Sequence, residues 1–82
     1  MARRARRRSL SYKEQREFDA LPARIEQLES DKAGLDALVA DPAFYGRDHG
    51  AVRDTLARVA RLGDEIDAAY ARWAELEAAA GK

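Results

Sequence analysis

The stretch that decides the fold is "ADPAFYGRDHGA", residues 40–51. Pro42 disfavours helical geometry at Asp41, so any helix arriving from the N-terminal side must stop there. Asp41 and Pro42 suit the N-cap and first position of one new turn. Gly46 suits a left-handed residue that ends that turn, and Asp48 suits the N-cap of a following helix. A connection this short obliges the flanking helices to lie side by side and antiparallel.

Both flanks carry a seven-residue apolar repeat. Before the turn, Phe18, Leu21, Ile25, Leu28, Lys32, Leu35 and Val39 are spaced 3, 4, 3, 4, 3, 4. After it, Val52, Leu56, Val59, Gly63, Ile66, Tyr70 and Trp73 are spaced 4, 3, 4, 3, 4, 3. Both series match the seam of a coiled coil, with Leu38, Leu62 and Leu76 widening the stripe on one flank. Facing positions of an antiparallel hairpin have a nearly constant sum, and 91 places every member of one series opposite a member of the other. That sum pairs Leu28 with Gly63 and gathers Phe18, Tyr70 and Trp73 as an aromatic cluster at the end away from the turn. The expected fold is therefore all-α, an antiparallel two-helix coiled-coil hairpin.

Two residues disturb the pattern. Pro22 lacks a backbone donor, a defect of about 3 kcal/mol inside a helix. A break is expected there, giving helices at about 11–20, 22–39 and 49–79 within a hairpin of residues 11–80. Ser11 and Glu14 have capping-box spacing at the start of the short first helix. Lys32 falls on the seam, where its stem can pack while its ammonium reaches an acid at the rim.

Charge is distributed unevenly. The 82 residues contain fifteen Lys/Arg and fifteen Asp/Glu. Arg3, Arg4, Arg6, Arg7 and Arg8 stand together with no acid before Glu14, so the remainder is acidic by the same five charges. Residues 1–10 thus read as a basic arm, expected to be disordered in isolation because like charges repel and nothing apolar can be buried. Cysteine is absent, which excludes disulfides, thiolate metal sites and thiol nucleophiles. No apolar run approaches the roughly 20 residues that span a bilayer.

The order of signals resembles the C-terminal domain of the Uup-type ABC-F ATPases. Those proteins carry S-Y-K-E-Q-R-E-[LF], A-L-P, I-E-x-L-E, D-P-x-x-Y and Y-x-R-W-x-x-L-E. The matching residues are Ser11 to Phe18, Ala20 to Pro22, Ile25 to Glu29, Asp41 to Tyr45 and Tyr70 to Glu77. The resemblance implies that the chain is a fragment of a longer cytoplasmic protein with two ATP-binding cassettes. It implies ATP and magnesium as cofactors of that parent, an antiparallel helical hairpin, and DNA binding. Its partners would be DNA or RNA backbone, its own ATP-binding cassettes and the ribosome, with no membrane and a monomeric hairpin. The acidic body departs from what a nucleic-acid binder would gain most from.

The residues themselves argue against catalysis in this chain. A G-x-x-x-x-G-K phosphate loop is absent, since Leu76 stands where Gly81-Lys82 would need the first glycine. His49, the one histidine, is expected in a solvated loop without a nucleophile beside it. Asp54–Arg58 and Lys13–Glu17 read as i,i+4 surface pairs. No cofactor or metal is expected in the chain itself. The candidate nucleic-acid-binding residues are Arg3, Arg4, Arg6, Arg7 and Arg8, for phosphate contact by counterion release, extended by Tyr12, Lys13 and Arg16. Tyr12 is the stacking candidate. The competing reading is a structural or regulatory coiled coil that docks on its own ATPase cassettes or a ribosomal protein. Attachment to an anionic membrane is weaker, because no apolar anchor adjoins the arm.

Overall fold

Ser11 starts the first helix as the sequence predicts. In the computed structural model, which describes residues 10–81, its hydroxyl accepts from the Glu14 N–H at 3.1 Å, and its own N–H donates to the Glu14 carboxylate at 2.9 Å. This reciprocal box satisfies two donors that a helix start leaves orphaned. Helix α1 then runs from Tyr12 to Ala40. A 3-10 turn, Pro42–Gly46, follows, and helix α2 spans His49–Ala80. The expectation of disorder covers residues 1–10: residues 1–9 lie outside the described part, whereas Leu10 is half-buried against the core cluster and so does not belong to a free arm.

The turn is built by its two aspartates. Asp41 accepts from the Ala43 N–H at 3.0 Å, and Asp48 accepts from the Ala51 N–H at 3.2 Å. Both act as the N-caps that their positions suggest. Gly46 does not take the left-handed conformation expected of it. The Arg47 N–H instead donates to the Phe44 carbonyl at 3.2 Å, and Arg47 leaves the turn extended. Phe44 plugs the tip at 2 % exposure, with Tyr45 edge-on at 5.0 Å and the Arg47 guanidinium 5.9 Å from its ring centre.

Pro22 does not break α1. The helix passes through it, so the expected pieces 11–20 and 22–39 are one element. The reason is packing on both sides of the proline. Leu21, Ile25 and Leu28 are all buried in one cluster with Leu62, Ala69 and Leu76, and Phe18 packs against it. Each such side chain is worth about 1.5–3 kcal/mol. A break would swing Phe18 and Glu17 away from α2, so several seam contacts outweigh one lost hydrogen bond and the ring's clash with the Phe18 carbonyl.

The seam of α1 is the expected one, but that of α2 is rotated at alternate positions. Its inward residues are Val52, Thr55, Val59, Leu62, Ile66, Ala69, Trp73 and Leu76. Leu56 and Tyr70 are exposed, and the Leu28–Gly63 layer is replaced by burial of Leu28 and Leu62. Two adjacent heptad readings share Val52, Val59, Ile66 and Trp73. The structure takes the one that buries Leu62 and Leu76 and keeps the Tyr70 hydroxyl where it can find a partner. The register holds at Phe18 and Trp73, whose ring centres are 6.4 Å apart. Gly63 lies beside the Lys32 stem, and Lys32 Nζ meets Asp36 at 2.9 Å, the rim contact expected of it. No polar or charged residue is buried among the described residues.

Candidate nucleic-acid interface

Tyr12, Lys13 and Arg16 occupy the first turns of α1, where the capping box holds the helix start and the positive end of the helix dipole points toward the arm. Tyr12 is the most exposed large apolar residue at 78 %. Arg16 lies one turn on, its guanidinium 5.8 Å from the Tyr12 ring centre, and its Nη1 donates to the Tyr12 hydroxyl at 3.4 Å. The two are therefore brought together, with one ring face already engaged by a cation. Lys13 is exposed beside them. Arg3, Arg4, Arg6, Arg7 and Arg8 lie outside the described residues. An open phenol face with two cations, at the entry of a basic segment, can take stacked bases and phosphate.

The expected pair of Lys13 with Glu17 is replaced. Glu17 reaches across to α2, where Arg72 Nε and Nη2 donate to its two oxygens at 2.7 and 3.0 Å. Arg72 Nη1 also meets Glu75 at 3.1 Å. The hydrogen bond from Arg72 holds the Glu17 carboxyl below its ordinary value, and the two carboxylates push Arg72 further up. Arg72 is thus occupied by acids and is not offered to phosphate. Asp54–Arg58 is not among the ion pairs of the described residues.

The opposite flank of the seam carries an acidic furrow that the sequence did not announce. One stretch of about 490 Å³ lies between Pro22, Ala23, Glu26 and the rings of Tyr70 and Trp73. It shares Glu29 with a second stretch of about 500 Å³ toward Gly63 and Asp67. Tyr70, expected in the buried aromatic cluster, is 43 % exposed and donates to Glu29 at 2.8 Å. That bond pushes the Tyr70 phenol above its ordinary value. The signal that could have found this flank was Glu29 and Tyr70 at seam-adjacent positions, readable only once the rotation of α2 is known.

His49 is the exposed first residue of α2 rather than a loop residue. No group of three or more His, Asp or Glu residues that could hold a metal occurs among the described residues. Among them, no helix is long and apolar enough to cross a membrane.

Residues 9–78 match the model of the ABC transporter C-terminal domain. The chain belongs to this family. It is 44% identical over 68 residues to the ATP-binding protein Uup of Haemophilus influenzae, covering 83% of this chain and 10% of that one. Against the ATP-binding protein Uup of Escherichia coli it is 41% identical over 69 residues, covering 84% and 11%. The chain thus spans about a tenth of the length of these curated relatives. A solved structure described as "The C-terminal domain of the Uup protein is a DNA-binding coiled coil motif" superposes with a TM-score of 0.87 at 36% identity. The superposition covers 95% of this chain and 92% of that one. The helical hairpin read from the heptads is therefore the fold of the ABC transporter C-terminal domain family.

Proposed function

We propose that this domain is a non-catalytic nucleic-acid-binding module of an ABC-F ATP-binding protein. Contact runs through Arg3, Arg4, Arg6, Arg7 and Arg8 and continues over Tyr12, Lys13 and Arg16. The observation that carries the reading is the likeness, over nearly the whole hairpin, to a Uup domain described as DNA-binding. The exposed Tyr12–Arg16 pair directly downstream of the arginines supports it. Binding is expected to be independent of sequence, since phosphate neutralisation carries no base information. DNA or ribosomal RNA satisfies the same electrostatics. ATP and magnesium belong to the cassettes of a cytoplasmic parent, not to this hairpin.

A second reading, docking on a protein, is favoured by the acidic body, which suits a basic surface on the parent's cassettes or on a ribosomal protein. Titration into labelled DNA and RNA at several salt concentrations, with and without residues 1–8, separates the two. Five phosphate contacts would give a log–log salt slope of about −4.5 on duplex DNA. Binding with a slope of that order, lost on truncation, supports the nucleic-acid reading. No binding at low salt removes it and leaves protein docking.

A further inference from the structure

The furrow beside Pro22 has the wrong sign for phosphate. Glu26 and Glu29 line it from α1 and Asp67 from α2, while Tyr70 and the half-buried Trp73 form an aromatic edge. Lys32, the one cation along it among the described residues, is held by Asp36. A slot with an aromatic edge and a carboxylate row suits guanidinium groups, which pack on rings and donate to carboxylates at once.

One segment of this chain has that chemistry and is tethered nearby. Arg3 to Arg8 join the hairpin through Leu10, which packs against the core cluster. Glu26 lies about 22 Å along α1 from Ser11. Arg3 precedes Ser11 by eight residues, a reach of up to about 28 Å when extended. The arginine segment is long enough to lie back along α1, passing Asp19, with Arg4 near Glu26 and Arg3 near Glu29. Five positive charges on the same chain meet a body with five excess negative ones.

We propose that this furrow is the docking site of the chain's own arginine segment. The same guanidinium groups then alternate between carboxylates of the hairpin and phosphates of nucleic acid. Docking stands independently of the function proposed above, whereas the competition rests on it.

The full chain tests this without nucleic acid. It contains no cysteine, so Ala5→Cys accepts a single nitroxide label. At low salt the label should broaden the amides of Ala23, Glu26, Glu29 and Asp67. The effect should vanish at about 1 M salt, where the screening length is about 3 Å, and in the variant Glu26→Gln/Glu29→Gln/Asp67→Asn. Arg3→Glu/Arg4→Glu should abolish it equally with the hairpin untouched. Trp73, the one tryptophan, should report the same transition by fluorescence. Broadening that is absent, that falls on the Arg24–Glu65 flank, or that survives both variants overturns the proposal. Competition appears as relief of broadening by an oligonucleotide and a tighter apparent Kd in the furrow variant. A gain of about three- to tenfold corresponds to an undocked fraction of about a third to a tenth. Broadening without oligonucleotide binding would leave docking standing and overturn the nucleic-acid reading alone.

Discussion

Arg72 grips Glu17 side-on across 55 positions of sequence, with donor distances of 2.7 and 3.0 Å to the two carboxylate oxygens. Two planar, charged groups meeting in this way define angle as well as distance. The residue numbers of the pair sum to 89, and so do those of Arg24 with Glu65 and of Asp31 with Arg58. Arg24 and Glu65 line the same groove as Glu17 and Arg72. With a seam that is apolar apart from Lys32 and Thr55, this flank of opposed charges discriminates the observed alignment from one displaced by a heptad, as flanking charges do in coiled coils generally.

Charge exchange tests that role. Glu17→Arg or Arg72→Glu alone should lower the melting temperature, and the double exchange should recover most of the loss. A double variant no more stable than the worse single change would remove the pair from the register argument.

The same pair predicts a pH dependence. Glu17 has a depressed folded-state pKa, chiefly from its hydrogen bond with Arg72. Its contribution is therefore complete above the ordinary value of 4.5 and is lost as pH falls through the folded value. Melting curves of the wild type and Glu17→Gln should be separated at neutral pH and converge in acid. Separation that persists unchanged in acid would contradict the assignment.

Truncation distinguishes the two readings of the α2 seam. Leu76 is 1 % exposed and Leu56 is 41 % exposed. Leu76→Ala should cost about 2–5 kcal/mol, enough to unfold much of a domain whose total stability is of order 5–15 kcal/mol. Leu56→Ala should cost well under half as much. Denaturant midpoints would check the order, and equal losses would return Leu56 to the seam.

Pro22→Ala restores a donor to the Phe18 carbonyl and should stabilise the hairpin, by up to about 3 kcal/mol. In the wild type, amide exchange at Leu21, Ala23 and Arg24 should remain as slow as elsewhere in α1. Fast exchange confined to these residues would mean that the helix opens at the proline.

Local signals were the legible ones. Ser11, Glu14, Asp41 and Asp48 act on backbone groups within three residues, so spacing alone announces their caps. The α1 seam was legible too, because one heptad reading there has no competitor. On α2 the sequence offers two, and only packing against Leu21, Ile25 and Leu28 chooses Leu62, Ala69 and Leu76. Pro22 misled because its penalty is local while the contacts that outweigh it come from the other helix. At the candidate interface, the Tyr12–Arg16 pairing follows from a spacing of one turn. Glu17 was assigned to Lys13 because its true partner is far away in sequence, and the acidic furrow stayed hidden with the orientation of Tyr70.

The plugged tip at Phe44 gives the hairpin a mechanical meaning. Tyr12 and Ala80 share one pole, and the tip stands about 45 Å away along two helices. The tip turn is short and capped at both aspartates, so it cannot act as a hinge. The molecule is in effect a stiff rod with Tyr12 and Ala80 at its base. A tilt of about ten degrees there would carry Tyr45 and Arg47 through about 8 Å, given that helix length. Small rotations at the Tyr12 pole are thereby amplified into displacements wide enough to make or break a contact at the far end.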